Sequence, residues 1–389
     1  MKRIALVNQR YGLEVNGGSE YYTRLIAERL AEKYQVDVIT TKALDYTTWD
    51  NHYTSDEEDI NGVHVLRFNV DKPRAKDFNE FNGKYLTSGK LDTETEKIWF
   101  EKQGPYCPGA IRYIRENHDK YDVFIFVTYL YYLTVNGLPE AADKAIFIPT
   151  AHEEPFIHFK SFENIFPLPK AYVFLTDEEK ALVQRLFNVE NIPCKVMGTG
   201  VDIPCEPDEK AFREKFGIDG DYLIYVGRID EGKGCPKLFR YFTEYKKRRP
   251  ESGLKLVLMG KQVCDIPKHD DIISLGFVSE EDKFSGISGA KALVLPSAFE
   301  SLSISVLEAM SLSVPVIVNG ICEVLKGHCI KSNGGLYYTD YFEFEGVTDY
   351  IFSHDKEYAI MRENALRYVE DNYRWDVIMR GFDEIIDTV

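Results

Sequence analysis

One stretch of the chain, residues 292–310, reads ALVLPSAFESLSISVLEAM and joins an apolar run to a polar turn and an apolar helical pattern. The run 292–295 is apolar on both faces, which is typical of a strand in the middle of a parallel sheet. A helix is predicted from residue 304, and its free N–H groups and positive dipole end form a site for a phosphate group. The stretch therefore predicts an α/β fold with an anion site at the carboxyl end of a strand.

The same alternation extends along the whole chain and predicts two doubly wound parallel sheets. In the first half, the predicted strands are 4–7, 36–40, 63–68, 123–127 and 145–149, and a helix is predicted at 19–33. In the second half, the predicted strands are 222–226, 254–259, 272–275, 292–295 and 315–318, with helices at 235–247, 279–286 and 304–312. We expect a first domain over 1–190, a second over 191–373 and a C-terminal helix within 374–389.

Charge and composition restrict the classes of function. The 389 residues are enough for two domains. The formal net charge of -16 argues against nucleic acid as a partner, because such a surface repels phosphate backbones. The most apolar run, 123–133, is about half as long as a membrane-spanning helix, so we expect no integral membrane segment. The seven cysteines form no CxxC pair, which favours a reduced, cytoplasmic chain without a zinc cluster.

Two carboxylates flank the predicted anion site. Glu300 precedes the helix and Glu308 lies inside it, about 10 Å away along the chain direction. The neighbours of Glu308 make the helix apolar nearly all round, so an acid there is costly unless a polar group satisfies it. A diphosphate at the helix end would have one carboxylate on each side, one for hydroxyls of a transferred sugar and one for a ribose diol. The alternative is an ordinary acid on the helix surface.

A glycine-bearing loop with two cations follows another predicted strand. It reads GRIDEGKG over 227–234 and contains Arg228 and Lys233. Two cations at the carboxyl end of a parallel strand suit a diphosphate, because they neutralise the charge that grows on a leaving nucleotide. The alternative is a solvated turn, and the combination with the two glutamates favours the phosphate site.

Two loops of the first half also follow predicted strands. NGGSE at 16–20 contains Gly17 and Gly18, which let a ligand approach the backbone closely. It is not a GxGxxG fingerprint, which disfavours a nicotinamide oxidoreductase. His152 follows the strand 145–149 and is a candidate contact to a donor sugar or an acceptor, although a lone histidine is more often structural. The only Asp-x-Asp, at 219–221, lies at the amino end of its strand, so we predict no metal site.

One long polar segment, 71–105, does not fit the alternation. It is charged, yet it carries aromatic residues that include Phe81 and Trp99. A connection of this length inside a compact domain is usually functional or disordered. We hypothesise an acceptor-facing lid in which Phe81 or Trp99 stacks on sugar rings. The alternative is a structural excursion that covers the sheet.

The ordered motifs of the second half resemble those of the retaining GT-B glycosyltransferases of the GT4 kind, the glycosyl transferases of group 1. The series consists of GRIDEGKG at 227–234, GFV at 276–278, the two glutamates of 300–308 and PVI at 315–317. The resemblance implies two Rossmann-like domains that face each other across a cleft, with the last helix crossing back onto the first. It also implies metal-independent transfer of a hexosyl-type sugar from a nucleotide diphosphate sugar, without a cofactor.

The resemblance implies a role for each candidate residue. The diphosphate would be held by Arg228 and Lys233, the transferred sugar by Glu300 and the ribose by Glu308. Backbone groups would read the base at Phe277 and Val278, and would bind the sugar and phosphate at Leu302, Ser303 and Ile304. In the first domain, Gly17 and Gly18 would close on the donor and His152 would lie near the sugar.

The acceptor and the wider role come from the habit of this family. Its members often add sugars to glycans or lipid-linked glycans in surface polysaccharide biosynthesis, at the cytoplasmic face of a membrane, where a peripheral contact is allowed. Two departures leave the donor open: Ser313 stands where a glycine commonly precedes the PVI strand, and NGICE at 319–323 replaces the usual acidic-glycine turn.

Other functions stay open on the same architecture. A sugar-nucleotide epimerase would consume donor without an acceptor, and a phosphorylase-like enzyme would usually carry a lysine for pyridoxal phosphate. A non-catalytic GT-B domain that only binds a partner would be expected to have lost Arg228, Lys233 or Glu308, and this chain keeps all three.

Overall fold

The computed structural model describes residues 1–15, 17–88 and 92–389. Contacts divide the chain into two compact units: unit 1 comprises Met1–Thr199 and Asp376–Val389, and unit 2 comprises Gly200–Trp375. Each unit has a mainly parallel sheet with helices between the strands, which confirms the predicted fold class. Asn16 of the NGGSE loop and residues 89–91 of the long polar segment lie outside the described residues.

The described part of unit 1 contains an eight-stranded sheet in the order β3-β4-β2-β1-β5-β6-β7-β8. The strands are β1 (Arg3–Val7), β2 (Gln35–Thr41), β3 (Glu57–Ile60), β4 (Val63–Phe68), β5 (Val123–Val127), β6 (Ala145–Ile148), β7 (Ala171–Phe174) and β8 (Cys194–Val196). Neighbouring strands are parallel, except that the edge strand β3 is antiparallel to β4. The middle strand β5 reads VFIFV and is buried throughout, as expected for a strand that is covered on both faces.

The sheet of unit 2 is parallel and has the order β11-β10-β9-β12-β13-β14. Its strands are β9 (Tyr222–Val226), β10 (Lys255–Met259), β11 (Ile272–Gly276), β12 (Ala292–Leu295), β13 (Val316–Asn319) and β14 (Gly335–Tyr338). The strands β9 and β12 are neighbours at the centre, so the loops that follow them open at the same edge of the sheet.

Helices connect the strands of both sheets. Those before unit 2 are α1 (Gly18–Ala31), α2 (Phe78–Ser88), α3 (Thr93–Gln103), α4 (Pro108–Glu116), α5 (Tyr132–Gly137) and α6 (Asp177–Leu186), with short 3-10 turns at His118–Lys120, Leu138–Lys144, Pro155–His158 and Lys160–Asn164. Those from unit 2 onward are α7 (Glu209–Phe216), α8 (Cys235–Arg248), α9 (Glu280–Ser288), α10 (Ile304–Ser311), α11 (Glu323–Ser332), α12 (Tyr341–Ser353), α13 (Asp355–Asn372) and α14 (Trp375–Ile386). Among the described helices, none has both the length and the apolar character that a membrane crossing requires.

The last helix, α14, packs against unit 1. The Lys2 ammonium donates to the carbonyl oxygen of Ile386 at 2.9 Å, and the Tyr34 hydroxyl donates to Asp383 at 2.7 Å. The side chains of Ile378 and Phe382 on this helix are buried. This apolar stripe explains why a helix that follows unit 2 in the chain is part of the core of unit 1.

The hypothesis that Trp99 stacks on a sugar ring is wrong. The described part of 71–105 forms α2 and α3, and Trp99 is only 1% exposed. Its ring centroid lies 5.0 Å from that of Phe156 and 5.1 Å from that of Phe159, and its indole N–H donates to Asn82 at 3.0 Å. Burial of this large ring stabilises the core more than an exposed position would. Phe81 is half-buried and also packs against that core.

Candidate functional site

Two motifs that are far apart in the sequence meet in unit 2. Lys233 lies in the loop that follows β9, and Glu300 lies in the turn that follows β12. The Lys233 ammonium is 2.6 Å from a carboxylate oxygen of Glu300 across a sequence separation of 67 residues. The lysine side chain is 33% exposed and the glutamate side chain 13% exposed. The pair therefore remains accessible to a ligand while it is held at the carboxyl edge of the sheet.

The loop 227–234 is folded by its own polar groups. The Asp230 carboxylate accepts the backbone N–H of Lys233 at 2.7 Å, and the Tyr225 hydroxyl donates to the carbonyl oxygen of Arg228 at 2.6 Å. Gly234 ends the loop with a φ of 76°, and a Cβ there would lie 2.6 Å from the carbonyl oxygen of Pro296. Only glycine fits this close approach in a left-handed conformation, and it places the loop directly beside the end of β12.

Arg228 lies in the same loop but forms a different ion pair. Its guanidinium contacts Asp230, and 40% of its side chain is exposed, more than that of Lys233. The structure thus gives two cations at this edge, one beside Glu300 and one closer to solvent. Arg228 is therefore the more exposed of these two cations, and its carboxylate partner Asp230 is buried.

Glu308 is buried and has a lysine partner that the sequence analysis missed. The Lys283 ammonium on α9 is 3.0 Å from Glu308 and 3.1 Å from Glu280. The side chains of Lys283 and Glu308 are 15% and 8% exposed. Burial raises the pKa of Glu308, and the charge of Lys283 opposes that rise. The polar partner that a buried acid on an apolar helix requires is therefore Lys283.

The turn before α10 is supported from behind by a buried histidine. Ser303 precedes the helix in the left-handed region at φ 70°, and Leu302 is 3% exposed. The His328 ring donates from Nε2 to the carbonyl oxygen of Leu302 at 2.7 Å, because a carbonyl can only accept. The other ring nitrogen lies 3.0 Å from the Tyr368 hydroxyl. His328 thus fixes the turn whose amides, with that of Ile304, begin the helix.

Phe277 and Val278 follow β11, two strands away from β9 in the sheet. The Phe277 side chain is 73% exposed, and Val278 is half-buried. The backbone turns sharply here, since Gly276 has a φ of 67° and its carbonyl oxygen accepts the N–H of Gly260 at 2.7 Å. The structure places both residues at the same carboxyl edge as Lys233 and Glu300.

Gly17 and Gly18 precede and begin α1 in unit 1. A Cβ on Gly17 would lie 2.2 Å from a carboxylate oxygen of Glu20 and 3.0 Å from the guanidinium of Arg10, whereas one on Gly18 would meet no atom within 4 Å. Arg10 and Glu20 form an ion pair at 2.6 Å in which each side chain is 6% exposed. Gly17 therefore provides room for a buried ion pair that the sequence analysis did not predict.

His152 lies in the turn after β6, where its Nε2 is 3.3 Å from Glu154. A buried acid on α6, Glu179, supports this turn by accepting the backbone N–H groups of Ala151 and Leu175, each at 2.6 Å. Burial raises the pKa of Glu179 to about 8, although these two bonds oppose the rise. The structure keeps His152, Gly17 and Gly18 in unit 1, apart in the chain from the groups of unit 2.

Among the described residues, no group of three or more His, Cys, Asp or Glu side chains is arranged to hold a metal ion. The charges at the carboxyl edge of unit 2 are instead lysine and arginine cations, each next to an acid.

Comparisons with known proteins agree with this architecture. Residues 208–365 match the family described as Glycosyl transferases group 1. An uncharacterized glycosyltransferase of Methanocaldococcus jannaschii is 24% identical, over 97% of this chain and 96% of its own length. The structure of sucrose-phosphate synthase from Thermosynechococcus elongatus superposes with a TM-score of 0.68 at 16% identity, over 99% of this chain and 98% of that one. Anabaena HepE, solved in complex with UDP and glucose, gives a TM-score of 0.71 at 13% identity, with both chains fully covered.

The superpositions extend over both units, and the family match lies in the unit that carries Lys233, Glu300 and Glu308. The chain therefore has the GT-B fold, and the comparisons support a group 1 glycosyltransferase.

Proposed function

We propose that the chain is a retaining, metal-independent glycosyltransferase of the GT4 kind that transfers a hexosyl-type sugar from a nucleoside diphosphate sugar. The observation that carries the proposal is the contact of 2.6 Å between Lys233 and Glu300. It joins a cation and a carboxylate at the edge where α10 begins, and an anion is favoured at a helix N-terminus. The fold match to Anabaena HepE, which was solved with UDP and glucose, makes a UDP-hexose the first donor to test.

The donor would exchange protein ion pairs for contacts of its own. The diphosphate would occupy the start of α10, with amides of Leu302, Ser303 and Ile304 and the cations of Arg228 and Lys233 around it. Lys233 would then leave Glu300, whose carboxylate would accept hydrogen bonds from hydroxyls of the sugar. Glu308 would accept hydrogen bonds from the ribose hydroxyls while it stays paired with Lys283. The exposed Phe277, together with Val278, would border the base.

The reaction needs charge stabilisation at the leaving phosphate. As the bond between the anomeric carbon and the phosphate oxygen breaks, negative charge grows on the nucleoside diphosphate, and Arg228 and Lys233 stabilise it. The acceptor hydroxyl forms the new bond on the same face, and its proton passes to the departing phosphate oxygen. No side chain acts as a nucleophile in this route, and the proposed products retain the anomeric configuration because the acceptor attacks on the face that the phosphate leaves.

The acceptor side of the proposal concerns unit 1. Gly17, Gly18 and His152 are its candidate contacts, and a glycan or a lipid-linked glycan is the proposed acceptor class. A role in surface polysaccharide biosynthesis, in the cytoplasm with peripheral contact to the membrane, completes the proposal. This role rests on the usual function of the family that the sequence resembles.

The test is a thermal-shift screen of the full chain with UDP-, GDP-, ADP- and dTDP-sugars in the presence of EDTA. A ligand that binds only the folded state raises the melting temperature. We expect one nucleotide sugar to raise it in the wild type and in Arg240→Ala, an exposed cation on α8, but not in Lys233→Ala. A response in Lys233→Ala equal to that of the wild type, or no response to the whole panel, contradicts the proposal.

A product assay separates the alternatives. Nuclear magnetic resonance of the donor after incubation without acceptor reports its fate. Free sugar with retained configuration at the moment of release supports the transferase, because water then replaces the acceptor. An isomeric nucleotide sugar supports an epimerase instead.

A further inference from the structure

Three arginines lie at the carboxyl edge of the unit 1 sheet, and they differ in their partners. Arg10 pairs with Glu20 at 2.6 Å, and Arg67 pairs with Glu58. For Arg74, no carboxylate of the described residues lies within ion-pair distance of the guanidinium. This is unexpected in a chain with 63 acidic and 47 basic residues. Arg74 is therefore the arginine of this group that forms no ion pair with a described carboxylate.

The Arg74 guanidinium is held in place by neutral groups. It donates from Nη2 to the carbonyl oxygen of Tyr46 at 3.0 Å, and its Cζ lies 5.0 Å from the ring centroid of Phe78 and 5.9 Å from that of Trp49. Its Nε is buried without an acceptor. The nearby acid, Asp45, accepts the backbone N–H of Thr47 at 2.6 Å.

The charge of Arg74 is consequently costly in the free protein. Burial lowers the pKa of Arg74, and the neighbouring Tyr131, Tyr46 and Asp45 oppose this shift. A guanidinium nevertheless remains protonated at any ordinary pH. A cation that has lost part of its hydration and has no counterion gains most from an anion that a ligand supplies.

The position of Arg74 is one where α/β proteins bind ligands. The indole of Trp49 lies between two guanidinium groups, with the Cζ of Arg10 at 6.0 Å and that of Arg74 at 5.9 Å. Arg10, Trp49 and Tyr131 follow β1, β2 and β5, which are adjacent in the sheet. Loops that follow adjacent parallel strands form the ligand-binding edge. The Trp49 N–H donates to the carbonyl oxygen of Gln103 at 2.7 Å, so the indole ring next to Arg74 is held in place.

We propose that Arg74 binds an oxyanion, a carboxylate or phosphate group, on the acceptor, so that the acceptor is an acidic or phosphorylated saccharide. The assignment of this ligand as the acceptor rests on the proposed function, whereas the anion site itself does not. The planar fork of N–H groups matches two oxygens of either anion. With a net charge of -16, most of the surface repels an anionic ligand, whereas Arg74 attracts it.

The experiment is isothermal titration calorimetry of the full chain with glucose 6-phosphate, glucuronate and glucose. Arg74→Met removes the charge and keeps an apolar stem between the rings, and Arg112→Met removes an exposed arginine of α4 as the matched control. We expect one of the two anionic probes to bind the wild type and Arg112→Met equally and Arg74→Met about tenfold or more weakly. Which probe responds distinguishes phosphate from carboxylate, and glucose is expected to bind none of the three proteins.

The outcomes separate this proposal from the proposed function. If neither anion binds the wild type, or if Arg74→Met binds it as the wild type does, the proposal is overturned. UDP is titrated into the same proteins, and we expect Arg74→Met to bind it like the wild type. Failure of UDP and of every nucleotide sugar contradicts the transferase and leaves the Arg74 result to be judged on its own titration. If Arg74→Met does not fold, Arg74→Gln, which also removes the charge, gives the same comparison.

Discussion

The carboxyl edge of each sheet holds an ion pair between a cation and a glutamate, and the two pairs differ in their exposure to solvent. In unit 2, the cations and acids come from short loops directly after neighbouring strands, and the contact between Lys233 and Glu300 is one-third exposed on its lysine side. In unit 1, the corresponding edge consists of rings and buried charges, and the ion pair of Arg10 with Glu20 is 6% exposed on both sides. At the same topological position, the pair of unit 2 is therefore accessible and this pair of unit 1 is enclosed.

This difference separates charges that a ligand can take over from charges that hold the backbone. An accessible ion pair contributes little stability, so a diphosphate can replace it at small cost. An enclosed pair such as Arg10 with Glu20 cannot open without leaving an uncompensated charge in the protein interior. Arg74 differs from Arg10 at this edge, since its guanidinium forms no ion pair with a described carboxylate and is not fully enclosed.

The largest expected effect tests whether the aromatic residues of unit 1 are core. Trp99→Ala should lower the free energy of unfolding by about 3–5 kcal/mol, because it leaves a cavity among buried rings. Phe277→Ala in unit 2 should change it by less than about 0.5 kcal/mol, because that ring is exposed. Urea unfolding of both variants measures the two values. A stable Trp99→Ala with weakened acceptor binding would restore the lid hypothesis and remove the contrast between the edges.

The next effect concerns the enclosed pair of Lys283 with Glu308 in unit 2, beside the proposed ribose position. Glu308→Ala leaves the enclosed Lys283 with the exposed Glu280 as its carboxylate partner, so unfolding should become easier by about 3 kcal/mol. The double variant Lys283→Met with Glu308→Leu should regain most of that unfolding free energy. Nucleotide binding should be lost in both variants. Glu281→Ala, an exposed acid on α9, is the control in the same urea titrations. Equal stability of Glu308→Ala and the wild type would mean that the pair is as exchangeable as that of Lys233.

A pH titration tests the enclosed acid of unit 1. The folded-state pKa of Glu179 is raised to about 8, so between its ordinary value and about 8 the folded state binds more protons than the unfolded state. The contribution of Glu179 to the free energy of unfolding is fully present below the ordinary pKa and is lost as the pH rises. The loss is on the order of 2 kcal/mol from about pH 5 to about pH 7. Unfolding free energies of the wild type should show this slope, and Glu179→Gln should remove it.

The control for this titration is Glu190→Gln, an exposed acid beyond α6 that loses the same charge. Its slope should equal that of the wild type. Only the slope is compared, because glutamine replaces one oxygen that accepts from Ala151 or Leu175 and lowers the stability at every pH. A wild-type protein whose stability does not fall over this range would show that the two N–H donors keep Glu179 ionised.

The two edges also differ in how far the sequence predicts them. The bounds of β5 and β9 agree with the prediction residue for residue, since both runs are apolar on both faces and follow an aspartate. The loop of Lys233 and the turn of Glu300 were found because each lies within a few residues of a clear strand. Local patterns therefore suffice where a site is built from loops next to strands.

Local patterns fail where the partner is distant in sequence. Lys283 and Glu308 are 25 residues apart, and His328 and Leu302 are 26 apart, and no spacing rule joins either pair. The strand β8 was missed because three residues are too few for a periodic pattern. The polar surface of 71–105 concealed two helices whose apolar residues, Trp99 among them, contribute to the core.

The smallest expected effect concerns support of the unit 2 edge from behind. Tyr368→Phe removes the hydroxyl that lies 3.0 Å from His328, so the ring that holds the Leu302 carbonyl loses a polar contact at its other nitrogen. We expect a loss of about 1 kcal/mol in unfolding free energy and a weaker affinity for the nucleotide sugar, because the turn at Ser303 becomes less fixed. Tyr337→Phe, which alters a partly exposed ring of the same unit, should change neither. If Tyr368→Phe lowers stability but leaves the affinity measured by calorimetry unchanged, His328 supports the fold alone, and the accessible edge of unit 2 positions its ligand without help from the protein interior.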